Sequence, residues 1–189
     1  MKTICVYCGS SFGNAPVFRE AAKNLAHQLV ERKMNLVYGG GDIGLMKVIA
    51  DEVLALGGKV TGVIPQALFD REVGHSQLSA LHIVADMHER KALMAELSDG
   101  FIALPGGIGT LEELFEMYTW LQLGFHNKPL GILNVDGFYD HLLRFLEHTV
   151  YAEFLKDTQL ALLLRESDAS LLLTRMEQFA LVHAASLST

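Results

Sequence analysis

The chain has 189 residues, half of them hydrophobic, and carries 22 acidic against 15 basic side chains for a net charge of −7. Length and apolar content suffice for one good-sized core, so a single domain over residues 1–183 is expected, with a small, polar tail over 184–189 that should fray. The negative charge disfavours nucleic acid or an anionic membrane surface as partner. No apolar run approaches the ~18 residues that span a bilayer, and Met1-Lys2-Thr3-Ile4-Cys5 does not begin a secretory leader, so a cytoplasmic protein is predicted.

Apolar strand-like runs alternate with helical periodicity throughout, the pattern of a parallel sheet with crossover helices. The first run, Ile4 to Tyr7, ends in Cys8-Gly9-Ser10-Ser11-Phe12-Gly13 and leads to a helix over Pro16 to Arg32. Cys5 and Cys8 form a C-x-x-C, but an offset of three along a strand sends the side chains to opposite faces, so two buried thiols are expected rather than a redox pair. The second run, Leu36 to Tyr38, ends in Gly39-Gly40-Gly41-Asp42-Ile43-Gly44, and a helix follows to Leu56. Gly39-x-Gly41-x-x-Gly44 has dinucleotide-fingerprint spacing. The next strand, Val60 to Ile64, ends in Pro65-Gln66 where an acidic residue would meet the ribose, so no nicotinamide or flavin cofactor is predicted. A tight turn under a closely packed helix would use the same glycines.

Arg71 and Glu72 fall in the loop after this third strand, and a fourth runs from Leu81 to Val84. The helix from His88 to Leu97 carries Arg90 and Lys91 in its first turn, where positive charge opposes the helix dipole and calls for an anionic partner, a phosphate or Glu113. The fifth strand, Phe101 to Leu104, opens into Pro105-Gly106-Gly107-Ile108-Gly109-Thr110, followed by a helix over Leu111 to Leu123. Such a turn lets backbone N–H groups converge on an anion, most naturally a phosphate, at a helix N-terminus. Thr110-x-x-Glu113 also spells a capping box, in which Glu113 would be structural. By helical step, Leu111, Leu114, Phe115, Tyr118 and Leu121 form a core stripe, and Glu112 and Glu116 point to solvent. Glu113 lies on a flank with Met117 and Trp120, where partial desolvation would raise its pKa.

The remaining strands are expected at Leu130 to Leu133 and Leu160 to Leu164, and the remaining helices at Phe138 to Val150 and Ala169 to Phe179. Near-continuous apolar strands predict an α/β fold with a doubly wound, mostly parallel sheet in a Rossmann-like three-layer sandwich. Ligands bind at the carboxyl ends of such strands, where the three glycine turns and the Arg90-Lys91 pair share one rim. Gly9, Ser10, Gly40, Gly41, Gly106, Gly107, Ile108, Gly109 and Thr110 are therefore candidate substrate contacts. The eight His residues show no ligand spacing, and no metal site is predicted.

Pro105-Gly106-Gly107-Ile108-Gly109-Thr110-Leu111-Glu112-Glu113 resembles the P-G-G-x-G-T-x-x-E motif of the Lonely Guy family of cytokinin-activating phosphoribohydrolases, often misnamed lysine decarboxylases. Cys5 to Ser11, Tyr38 to Gly41, Met87 to Lys91 and Leu133 to Tyr139 look like further family signatures in family order. The resemblance implies a homodimer that binds a nucleoside 5′-monophosphate and hydrolyses its N-glycosidic bond, without a cofactor. It also implies Arg90 and Glu113 as the essential pair, and nucleotide contacts from Glu72, Lys91, Gly107 to Thr110 and Thr119. The family's usual Gly-Leu-Met-Gly is Gly44-Leu45-Met46-Lys47 here, a departure that changes packing or charge in that helix.

This chemistry suits the residues. Glycosidic cleavage develops positive charge on the ribose, which the Glu113 carboxylate can stabilise or attack with an activated water, while the phosphate positions the sugar. Arg90 would hold Glu113 ionised and oriented or assist departure of the base; Glu72 is a conceivable but unneeded second carboxylate. A non-enzymatic nucleotide or pterin-phosphate carrier, of the kind that binds molybdenum cofactor, is the alternative, although it has little use for Arg90 and Glu113 together. The base, N6-prenylated or plain adenine, is open. A helical flank with Met117 and Trp120, and Phe125 beyond, offers apolar surface for a second copy.

Overall fold

Alternation along the first strand sets the layers of the fold: Ile4, Val6 and Cys8 enter one apolar cluster and Cys5 and Tyr7 the other. The computed structural model describes the backbone of residues 1–72, 74–75 and 77–185, and the side chains of these except 71, 72, 184 and 185. In chain order the elements are β1 (Thr3–Tyr7), α1 (Pro16–Glu31), β2 (Asn35–Tyr38), α2 (Gly44–Ala55), β3 (Val60–Pro65), α3 (Gln66–Glu72), β4 (Ala80–Val84), α4 (Met87–Glu96), β5 (Gly100–Ala103), α5 (Ile108–Leu123), β6 (Leu130–Leu133), α6 (Asp140–Tyr151), α7 (Asp157–Leu160), β7 (Leu163–Glu166) and α8 (Ala169–Ala185).

The seven strands form one sheet in the order β4-β3-β2-β1-β5-β6-β7, every pairing parallel. Parallel neighbours need crossovers, and the crossover helices cover both faces. Leu25 and Leu29 of α1, Ile49 and Val53 of α2, and Leu172 and Met176 of α8 pack on one face; Met94 of α4, Leu114 and Met117 of α5, and Leu143 and Leu146 of α6 pack on the other. This is the expected three-layer arrangement. Strand order reverses between β1 and β5, the point where the two following turns diverge and leave a crevice. Cys5 and Cys8 are free, buried and on opposite faces.

Several boundaries differ from the sequence expectation. Arg71 and Glu72 end the helix α3 rather than lying in a loop. The apolar run from Leu160 divides: Asp157–Leu160 winds one helical turn, with the Lys156 N–H donating to Gln159 Oε1 at 3.1 Å, and the strand runs over Leu163–Glu166. A short 3₁₀ turn over Val135–Gly137 delays α6 to Asp140. Helix α8 continues through Ala185, and the rest of the expected frayed tail, 186–189, lies outside the described residues.

Candidate active site

Helix α5 begins three residues earlier than its apolar periodicity implies, with Gly107 as N-cap and no side chain capping it. Thr110 is therefore inside the helix, so the capping box does not form and Glu113 is freed from that structural duty. Among the described residues, the backbone N–H groups of Ile108, Gly109 and Thr110 meet no carbonyl, and the first donor satisfied is Leu111, which reaches the Gly107 carbonyl at 3.1 Å. Three open donors at the positive end of a sixteen-residue helix make an anion site.

The glycines of this turn divide by role. A Cβ on Gly106 would lie 2.1 Å from Thr110 Oγ1 and 2.9 Å from the Gly9 nitrogen, so Gly106 is what lets the β1 turn close against the β5 turn. Gly9 N–H donates to the Pro105 carbonyl at 3.1 Å, locking that contact. A Cβ on Gly107 or Gly109 would meet nothing within 4 Å. Nothing in the chain demands glycine there, and the bare backbone faces a cleft of about 260 Å³ lined by Gly9, Ser10, Gly107, Ile108, Gly109 and Thr110 on one side and by Gly39, Arg90 and Glu113 on the other.

Arg90 and Glu113 meet in this cleft, brought together from α4 and α5. Helix α4 starts where it does because Asp86 accepts the N–H groups of His88 and Glu89 at 2.8 and 2.9 Å, which points Arg90 under the sheet's carboxyl edge. Its guanidinium donates to the Val63 carbonyl at 3.1 Å and the Gly39 carbonyl at 3.2 Å, at the ends of β3 and β2. A Cβ on Gly39 would sit 2.0 Å from Arg90 Nη2, so this glycine serves the arginine. Arg90 Nη1 lies 3.5 Å from Glu113 Oε1, close enough for charge attraction but beyond a good hydrogen bond. Both side chains are only 10% exposed.

Burial raises the Glu113 carboxyl from its usual 4.5 to about 7, against the opposing pull of Arg90. Among the described residues neither of its oxygens accepts a hydrogen bond, so the carboxyl is available to a ligand. The Cys8 thiol also lines the cleft, but burial pushes its pKa up and keeps it a neutral wall atom.

The other expected contacts are placed differently. Gly40 and Gly41 do not line the cleft: the Gly40 carbonyl accepts the His75 N–H at 3.3 Å, and Gly41 pairs with Gly74. The α2 N-terminus is likewise occupied by its own chain, with Leu45 N–H donating to the Gly9 carbonyl at 3.0 Å. Lys91 is buried away from the cleft, bonded to Glu112 and, at 3.1 Å, to Glu116. Burial alone would lower its pKa, but these hydrogen bonds outweigh it and the value is raised. Glu116 thus faces α4 instead of bulk water, whereas Glu112 stays exposed, as expected, while pairing with Lys91. Thr119 is on the exposed face of α5, its hydroxyl donating to the Phe115 carbonyl at 2.7 Å. Glu72 closes α3, and its side chain lies outside the described residues. The core stripe of α5 is rotated toward Glu113: Met117 is fully buried, whereas Leu111 and Phe115 are half-buried. Of the apolar flank expected to face a second copy, only half-buried Trp120 and exposed Phe125 remain.

One cluster had no sequence signal, because its members are scattered. Asp42, Asp51 and His75 bring ligand atoms within 4.8 Å of one another. Lys47 Nζ lies 2.5 Å from Asp42 Oδ1 and 3.5 Å from Asp51 Oδ2, so an ammonium already supplies positive charge there.

Residues 46–176 match the family model described as possible lysine decarboxylase. The cytokinin riboside 5′-monophosphate phosphoribohydrolase LOG5 of Arabidopsis thaliana is 49% identical over 178 residues, covering 94% of this chain and 78% of that protein. The probable cytokinin riboside 5′-monophosphate phosphoribohydrolase LOGL1 of Oryza sativa subsp. japonica is 51% identical over 180 residues, covering 95% and 81%. Among solved structures, the molybdenum cofactor (Moco) carrier protein of Chlamydomonas reinhardtii superposes with a TM-score of 0.70 at 19% identity, covering 94% of this chain and 96% of that one. The molybdenum cofactor binding protein of Rippkaea orientalis gives 0.64 at 17%, covering 100% and 99%. At these identities the two structures share the fold.

Proposed function

This chain belongs to the Lonely Guy family of phosphoribohydrolases, and on that premise we propose that it hydrolyses the N-glycosidic bond of cytokinin riboside 5′-monophosphate, and of AMP, to free base and ribose 5-phosphate. The observation that carries the reading is that a buried Arg90–Glu113 pair and the open N–H groups of α5 face one cleft. A carrier needs the second feature and has no use for the first.

In this reading the 5′-phosphate sits on the N–H groups of Ile108, Gly109 and Thr110, which hold the ribose toward Glu113. As the C1′–N9 bond lengthens, positive charge gathers on the ribose, and the ionised Glu113 carboxylate stabilises it in a site with little water. Water supplies the hydroxyl that ends on C1′ and the proton that leaves with the base; Glu113, with a pKa of about 7, takes that proton from the water at physiological pH. Arg90, fixed by two carbonyls, keeps Glu113 oriented and sustains its charge.

The homodimer belongs to the same proposal. If Thr119 contacts a nucleotide as the family resemblance implies, its outward position on α5 directs that contact to a second chain, and exposed Phe125 lies just beyond the same helix. Among the described residues no helix is long and apolar enough to cross a membrane.

Free-base release measured across a panel of nucleosides and their 5′-monophosphates tests the activity. Base and ribose 5-phosphate should appear from the monophosphates of adenosine and N6-isopentenyladenosine, and hardly at all from the nucleosides. Binding without release would return the chain to the carriers.

A further inference from the structure

His75 takes no part in the chemistry above, yet it is buried and both ring nitrogens are engaged. Nδ1 accepts the Gln77 N–H at 3.2 Å, which places the ring proton on Nε2, and Nε2 donates to Asp51 Oδ1 at 2.8 Å. The His75 backbone N–H donates to the Gly40 carbonyl, and Gly74 pairs with Gly41. One residue of the α3–β4 connection is thus bonded to the β2–α2 turn and to the flank of α2.

Both parts joined in this way reach the cleft. The Gly39 carbonyl, next to Gly40, is one of the two that hold Arg90, and α3 carries Leu68 into the cleft wall. We propose that His75 is a positioning residue for the reaction, clasping the α3–β4 connection to the β2–α2 turn and thereby fixing Leu68 and the Gly39 carbonyl around the substrate. The inference rests on the hydrolase reading of that cleft. Lys47, which stands where the resembled family has glycine, offsets the charge of Asp42 and Asp51. At 42% exposure its ion pairs contribute little by themselves, so the buried imidazole carries the clasp.

The test compares His75→Ala, His75→Gln, Asp51→Ala and Asp51→Asn with the wild type. It reads Tm, the Kd of N6-isopentenyladenosine 5′-monophosphate by calorimetry, and kcat and KM for base release. His75→Ala and Asp51→Ala should raise Kd and KM by ~10-fold, short of the 10² of a 1 Å misplacement at the reacting atoms, and lower kcat less. Asp51→Asn keeps an acceptor for Nε2–H and His75→Gln keeps a donor, so both should stay near wild type. A loss of Tm with unchanged Kd and KM would overturn the proposal, leaving His75 a plain core residue. Asn and Ala at 51 being equally harmful would overturn the neutral-imidazole clasp. Should His75→Ala fail to fold, Asp51→Ala removes the same bond from the other side. If the wild type binds the nucleotide without releasing base, the hydrolase reading fails, and the dissociation constants alone decide the clasp.

Discussion

Glu113→Gln separates the cost of the site from its use. The folded-state pKa of Glu113 is raised from 4.5 to about 7 by burial. Below 4.5 the carboxyl is protonated in both folded and unfolded chains. As pH rises through the interval, the unfolded chain ionises while the folded one holds its proton, so stability falls, and the loss is complete just above 7. At about 1.4 kcal/mol per pH unit, the wild type should lose about 3 kcal/mol relative to Glu113→Gln between about pH 4 and pH 8. For a chain of this size that widens the gap in Tm by roughly 6–12 °C. Above that interval, at about pH 8, where the wild-type carboxyl is ionised, the variant should show kcat reduced by roughly 10² or more, with nucleotide binding retained. Thermal melts of the two proteins across pH, with base-release kinetics on the same samples, check both halves. Parallel melting curves would mean that Glu113 titrates like a solvated carboxylate, and near wild-type turnover would remove it from the chemistry.

The proposed mechanism uses Glu113 ionised, so kcat/KM should rise with pH through an acid limb centred near 7, absent from Glu113→Gln; a steady-state pH profile reads it. Arg90→Ala should abolish base release, and the Arg90→Ala/Glu113→Gln double variant should be little worse than either single one in single-turnover assays, since residues acting as a unit are non-additive. Gly39→Ala would place a methyl 2.0 Å from Arg90 Nη2, so its kcat should fall toward that of Arg90→Ala although residue 39 bears no functional group. Gly109→Ala should leave Tm unchanged or higher, since the methyl meets no protein atom, while raising KM by crowding the phosphate; calorimetry with the nucleotide separates the two effects.

What the sequence made legible was local. Apolar runs such as Ile4 to Tyr7 and Leu130 to Leu133 marked strands, because burial on both faces leaves no polar position in them. The Gly106 to Thr110 turn followed from helix-end electrostatics, which left the anionic partner of Arg90 open between a phosphate and Glu113; the pair itself was implied by the family resemblance. Features that depend on a second element did not show. The α5 wheel sent Glu116 as well as Glu112 to solvent because one helix cannot reveal that Lys91 of α4 lies against it and draws Glu116 in. Thr110 read as an N-cap because its spacing to Glu113 fits one, whereas the bare Gly107 starts the helix. Gly40 and Gly41 read as ligand contacts when their partners are His75 and Gly74, from a distant segment.

The placement of the crevice between β1 and β5 also governs when it can exist. Ile4 and Gly100 are direct neighbours across that pairing, so the whole of β2 to β4, with its helices, is inserted between the two halves of the site. A nascent chain that has emerged only through β4 holds the Gly9 turn but neither the α5 donors nor Glu113, and the β1 edge that will receive β5 is still bare. Long-range parallel pairing of this kind is slow, and an open strand edge invites pairing with other chains. Nucleotide can reward only the finished junction, so during synthesis it acts late, as a trap for chains whose central pair has already closed.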